Sequence, residues 1–213
     1  MVKAIIFDFW GTLANHGVKS PLRQAQWILY QSKTDYSEFV HTFETAFMTQ
    51  KFETLEDGYK AACEAFGREV DYQDMNDFIG MWNKNWMLAK LYEDTLELLE
   101  MLKEKGIKIA LVSNTDCFSV DKIIDKFELN KYFDVIALSC EKGLLKSDSK
   151  MFESVLEELG VSAEDALMIG DSPETDIEPA RKVGIKAVLI DRMDRRPYED
   201  KIISLKEVEK FVR

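Results

Sequence analysis

From about residue 94 onward the chain alternates two hydrophobic patterns. Apolar residues at helical spacing fill one stretch, a glycine ends it, and a short continuously apolar run follows. Leu96, Leu99 and Leu102 share a helical face before Gly106, and IKIALVS comes next. Met151, Phe152, Val155, Leu156 and Leu159 do the same before Gly160 and ALMIG. Ile177, Ala180 and Val183 precede Gly184 and KAVLI. Glycine just past a helix is the usual left-handed stop. Short, wholly apolar strands alternating with helices predict parallel strands covered on both faces. DVIALS (134–139) and AIIFDF (4–9) belong to the same strand set.

Residues 16–90 carry helical periods and no strong strand. Phe39, Val40, Phe43 and Phe47 share one face, and Leu55, Tyr59, Ala62, Cys63 and Phe66 another. The second set follows Thr54-x-x-Asp57, a start like a capping box. Met75, Phe78, Ile79, Trp82 and Trp86 form a third set. These aromatic stripes read as the core of a helical bundle. The predicted fold is therefore α/β. A Rossmann-like parallel sheet core with helices on both faces spans 1–15 and 91–213, and an inserted α-helical bundle over 16–90 forms a cap. No repeat or low-complexity segment interrupts this plan.

Composition narrows the function classes. The 213 residues are 46% hydrophobic and 31% charged, which suits a globular chain with a sizeable core. A net charge of -11 argues against nucleic acid as a partner, because phosphate-backbone contacts need clustered Lys and Arg. Arg192, Arg195 and Arg196 make the densest basic spot and read as a solvated face. No apolar stretch approaches the roughly 20 residues needed to span a bilayer. The chain opens directly on a strand-like run without a charged-then-apolar leader, so a cytoplasmic location is expected. Cys63, Cys117 and Cys140 form no CxxC pair, and with His16 and His41 the sole histidines, a Cys- or His-based metal site is not expected.

In an open α/β sheet, ligands bind beyond the carboxyl ends of the strands. Asp8 follows AIIF there; Ser113 and Asn114 close IALV; Asp171 follows ALMIG, with Asp176 shortly after. Lys146 lies in EKGLLKSDSKMF, between DVIALS and the next helix. Each alone reads as a turn cap or a solvated loop residue. Together they place acids, a hydroxyl and a lysine at one sheet edge. Carboxylates as the hard ligands favour Mg²⁺, and a lysine with a hydroxyl suits phosphoryl oxygens.

This set resembles the haloacid dehalogenase superfamily. AIIFDFWGTL is similar to its first signature, an apolar strand before Asp-x-Asp-Gly-Thr, except at Trp10. VSNTD resembles the second signature; EKGLLKSDSKMF resembles the third, with Ser147 in place of Pro; MIGDSPETD resembles the fourth. The resemblance implies a Mg²⁺-dependent phosphatase acting on a small phosphorylated metabolite. It makes Asp8 a nucleophile that forms an aspartyl-phosphate, with Ser113 and Lys146 completing the catalytic set. Asp8, Asp171, Asp176 and the backbone carbonyl of Trp10 would hold the metal. Thr12, Ser113, Asn114 and Lys146 would bind phosphate, and Gly11 would let the backbone turn closely around the site.

Trp10 departs from the pattern. The family's phosphatases carry there an Asp that protonates the leaving oxygen and activates water, and an indole N–H does neither. Losing a general acid/base costs about 10²–10⁴ in rate. His16 and Glu56 are possible proton sources from the cap, and nothing in the sequence selects one. Two rival readings stand: a 2-haloacid dehalogenase-like hydrolase, in which an aromatic residue occupies this position, and a low-turnover member that binds phosphorylated ligands or a protein. Asn15, His16, Lys19, Arg23 and Lys51 are polar candidates for the cap's substrate surface. Oligomeric state and physiological substrate are open at this level.

Overall fold

The structure is a computed structural model and describes residues 2–212. The chain begins with β1 (Ala4–Phe7) and β2 (Ala14–Asn15), then runs through α1 (Pro21–Ile28), α2 (Tyr36–Met48), α3 (Leu55–Ala65) and α4 (Tyr72–Leu88). β3 (Lys90–Leu91) returns it to α5 (Thr95–Glu104), β4 (Lys108–Ser113), α6 (Val120–Lys126) and β5 (Val135–Leu138). There follow α7 (Ser139–Lys142), α8 (Ser149–Leu159), β6 (Ala166–Gly170), α9 (Glu178–Lys182), β7 (Lys186–Ile190) and β8 (Lys201–Ile202).

Six strands form one parallel sheet in the order β5-β4-β1-β6-β7-β8. Side chains alternate across it with period two. Ile5, Phe7, Ile109, Leu111, Leu167 and Ile169 face Leu98, Leu99 and Leu102 of α5. Ala4, Ile6, Ala110, Val112 and Met168 face Met151, Phe152 and Val155 of α8. Burial on both faces is why these strands read as unbroken apolar runs. β1 pairs in register so that Phe7 lies beside both Leu111 and Ile169. That register brings the carboxyl ends of the three central strands together. Asp8 continues the pairing, its amide donating to the Ile169 carbonyl at 3.0 Å.

α1 to α4 share a third hydrophobic cluster, separate from the two that flank the sheet. Phe43, Phe47, Phe78 and Trp82 form its aromatic centre, with ring centroids 5.1–6.1 Å apart. The Thr54 hydroxyl accepts the Asp57 amide at 3.2 Å and starts α3. Val40 lies at the edge of this cluster, while Trp86 packs against the sheet-side core. Both strands bounding the helices are two residues long, and β2 pairs antiparallel with β3. Two-residue strands carry no periodicity, so neither they nor β8 is visible in the sequence. Ser139, read as the end of a strand, opens α7.

Arg192 departs from the expected solvated face. Its guanidinium pairs with Asp94 at 3.1 Å, donates to the Thr12 carbonyl at 2.6 Å and lies 3.6 Å over the Tyr92 ring centroid. It thereby ties the turn after Asp8 to the segment that follows β3. Arg195 and Arg196 are exposed, as expected.

Candidate active site

Beyond the carboxyl ends of β1, β4 and β6 lies a cavity of about 620 Å³ between the sheet edge and the helices. Asp8 directly follows β1, buried at 4% exposure. Its Oδ1 accepts from Lys146 Nζ at 2.6 Å, and its Oδ2 accepts from the Thr12 hydroxyl at 3.1 Å. Lys146 Nζ also donates to Asp176 Oδ1 at 2.5 Å. The other Asp176 oxygen accepts the Ser172 amide at 2.9 Å, so this carboxylate is fixed on both sides. Asp176 stands on a single π-helical turn, Pro173–Ile177, which the Ser172 hydroxyl caps. π-turns of this kind recur at functional sites.

Asp171 completes a trio. Asp8, Asp171 and Asp176 each offer a carboxylate oxygen, and these atoms all lie within 4.8 Å of one another. Gly11 is required for this approach. It holds φ at +78°, and a Cβ there would overlap the Asp171 carboxylate. A Cβ on Gly170 would likewise overlap Asp176.

The charge balance of the trio is uneven. Burial opposes the Lys146 ammonium, but Asp176 and Asp8 outweigh it and hold its pKa well above the ordinary value. Burial, opposed by Lys146, pushes Asp8 up to about 6. Burial, with Asp8 and Asp176 beside it, pushes Asp171 up to about 8. One ammonium thus faces three carboxylates, and the excess negative charge suits a hard divalent cation with oxygen ligands.

Asn114 extends the network away from the sheet. Its Oδ1 accepts the Lys146 amide at 2.8 Å, and its Nδ2 donates to Glu44 Oε2 at 2.8 Å. Glu44 comes from α2, and burial pushes it up to about 7 against the pull of Lys146. Ser113 is placed differently from its neighbours. It is buried at the end of β4 and does not line the cavity, and its hydroxyl has no protein partner.

Trp10 lines the cavity beside Asp8 and stacks on His16, with ring centroids 4.5 Å apart and planes 8° from parallel. Burial lowers His16 to about 4, against its hydrogen bond to Asn85. A neutral imidazole donating Nδ1–H to the Asn85 oxygen has no second proton to give, which makes His16 a poor acid. Glu56 is exposed and lies outside the cavity lining. Of the five polar cap candidates, His16 lines the cavity, whereas Asn15, Lys19, Arg23 and Lys51 do not.

Sequence reasoning missed Glu44 and Asp116. Asp116 is buried, accepts Trp82 Nε1 at 2.9 Å and also accepts from Ser119, joining α4 to the end of β4. The signal for Glu44 was present: Val40, Glu44 and Met48 form an i, i+4, i+8 row, and all three line the cavity.

A parallel α/β sheet with a buried carboxylate–lysine cluster beyond its carboxyl edge describes a hydrolytic centre built around one strand-end acid. The model of the haloacid dehalogenase-like hydrolases matches residues 2–184. The chain belongs to this family and is a hydrolase. Pyrophosphatase PpaX of Halalkalibacterium halodurans is 25% identical over 89% of this chain and 83% of its own length. Ribulose-1,5-bisphosphate 5-phosphatase of Halopiger xanaduensis is 29% identical over 90% of this chain and 85% of its own. A haloacid dehalogenase-family phosphatase of Thermococcus onnurineus shares the fold with a TM-score of 0.65, at 24% identity over 99% of this chain and 98% of that one.

Proposed function

We propose that the protein is a Mg²⁺-dependent phosphatase acting on a small phosphorylated metabolite through an aspartyl-phosphate on Asp8. The observation that carries this reading is the buried trio: Lys146 bridges Asp8 and Asp176, and Asp171 stands beside them within metal-ligand reach. Phosphatase relatives matched over most of their length support it.

In the first step an Asp8 carboxylate oxygen attacks phosphorus, and the bond from phosphorus to the leaving oxygen breaks. In the second, water attacks phosphorus, the bond to Asp8 breaks, and phosphate leaves. Thr12 and Lys146 hold the Asp8 carboxylate in place, and Lys146 adds positive charge beside the phosphoryl group. Ser113 does not line the cavity, so the phosphoryl-donor role the sequence suggests for it would need its unpartnered hydroxyl to turn from the end of β4 into the site. Asp8, Asp171, Asp176 and the Trp10 carbonyl would hold Mg²⁺. When bound, the metal screens repulsion between carboxylate and phosphate and orients both. Residues 16–90 act as the cap over a core of 1–15 and 91–213. Trp10 supplies no proton to the leaving oxygen, so turnover favours esters of acidic alcohols.

Steady-state hydrolysis of p-nitrophenyl phosphate tests this reading. Phosphate release that needs Mg²⁺ and falls to background in Asp8→Asn is expected. Halide release from 2-haloacids that persists in EDTA, with no phosphate release, would replace it with a dehalogenase. Phosphate-ester binding without turnover would replace it with a binding protein.

A further inference from the structure

The cavity wall opposite the sheet has a charge character that no motif predicts. α1 and α2 line it with Pro21, Leu22, Tyr36, Ser37, Val40, His41, Glu44 and Met48, so the basic side chain on this wall is a single exposed imidazole. Among the described residues lining the cavity, Lys146 is the sole Lys or Arg, and both its carboxylate contacts lie in the metal-ligand cluster. The acids Asp8, Glu44, Asp116, Asp171 and Glu174 all line the same space. Three Lys and Arg side chains on the surrounding elements are otherwise engaged. Arg23 lies 3.5 Å over the Tyr36 ring centroid and donates to Gln26. Lys51 pairs with Glu141 at 3.0 Å, and Arg196 donates to the Asp171 carbonyl.

The phosphoryl group of a substrate meets Lys146 and the carboxylate trio, so its leaving group extends along this wall. A carboxylate or second phosphate there would be desolvated beside Glu44 with no Lys or Arg to pair with it, the exposed His41 being the one imidazole on that wall, and like-charge juxtaposition of this kind is strongly unfavourable. A hydroxyl or ammonium group would meet an acceptor instead. One oxygen of Glu44 is fixed by Asn114, which aims the carboxyl from α2 toward the network that ends at Asp8.

We propose that the substrate is a phosphomonoester whose leaving alcohol carries no negative charge, and that Glu44 is the residue that enforces this choice. The inference rests on the phosphatase reading. It also sets this chain apart from relatives whose names give bisphosphate or pyrophosphate substrates.

Three esters of nearly equal size isolate the charge: 2-hydroxyethyl phosphate, O-phosphoethanolamine and 2-phosphoglycolate. Their kcat/KM values with Mg²⁺ should favour the first two over 2-phosphoglycolate by about tenfold or more. At pH 8, where Glu44 is charged, Glu44→Gln keeps the shape and the acceptor for Asn114 while removing the charge, and should shrink that ratio severalfold. Equal or better cleavage of 2-phosphoglycolate, or an unchanged ratio in Glu44→Gln, overturns the inference. Calorimetric binding of the same esters to Asp8→Asn protein with Mg²⁺ gives a second readout. If no ester is turned over yet this binding shows the same preference, the phosphatase reading falls and charge selection stands. Equal affinities in that measurement overturn charge selection whatever the turnover.

Discussion

Trp10 occupies the position at which the family's phosphatases carry an acid, and the structure shows what the indole does instead. It packs edge-on against Phe9, at 5.2 Å between centroids, and face-on against His16. The ring therefore forms part of the cavity wall and presses on His16, one of the two histidines that line it. Trp10→Asp restores a group with a proton to give, at the cost of that stacking. Its effect should depend on the leaving group. Hydrolysis of an alkyl phosphate such as 2-hydroxyethyl phosphate should rise, by up to about 10². Hydrolysis of p-nitrophenyl phosphate should change little, because p-nitrophenolate departs without protonation. A fall for both substrates would assign Trp10 a positive role in holding substrate. Asp8 and Asp171 are legible in the sequence because each directly follows an apolar strand, whereas Asp176 and Lys146 lie in the connections beyond β6 and β5 and are placed through the signatures they sit in. Glu44 could not be placed that way, since its partner Asn114 is 70 residues distant and an acid within a helix ordinarily faces solvent.

At the scale of elements, periodicity located every long helix and five of the six sheet strands. It works there because burial on one helical face, or on both strand faces, dictates residue type at every turn. Phe39, Phe43 and Phe47 were readable as a bundle face, and they do pack together in the cluster of α1 to α4. Trp86 reads as part of the stripe of Met75, Phe78, Ile79 and Trp82, yet α4 bridges two environments, and its last turn meets the sheet-side core instead. Elements of two residues escape such reading altogether. β2 and β3 are set by tertiary pairing, as is Arg192, whose contacts to Thr12 and Asp94 span 180 and 98 residues. Arg192 is held by an aromatic face, a carboxylate and a backbone carbonyl at once, a combination no local pattern encodes. It supports the Asp8 turn from outside the cavity.

At the scale of the whole molecule, the buried acid cluster couples stability to pH and to metal. Asp171 ordinarily titrates near 3.8 and is pushed up to about 8 by burial and by Asp8 and Asp176. The folded chain therefore holds a proton that the unfolded chain has lost in this range. The stability that this proton confers is fully present below about 4 and is lost as pH rises through about 8. Asp8 and Glu44, also raised by burial, act in the same direction, so in EDTA the melting temperature should fall between pH 5 and pH 8. Saturating Mg²⁺ replaces the proton, so the slope should flatten and stabilisation by Mg²⁺ should grow with pH. Melting temperatures that respond equally to Mg²⁺ at pH 5 and pH 8 would contradict a metal site built on these three carboxylates. Among the described residues no helix is long and apolar enough to cross a membrane.

The central claim is that Asp8 becomes covalently phosphorylated during turnover. Acid quenching of the protein within the first turnover of a ³²P-labelled phosphomonoester, with Mg²⁺ present, tests it most directly. The account predicts protein-bound label that hydroxylamine releases, as expected of an acyl phosphate, and that is absent from Asp8→Asn. Phosphate release by the wild-type protein with no label trapped at any quench time, or equal labelling of Asp8→Asn, would contradict it.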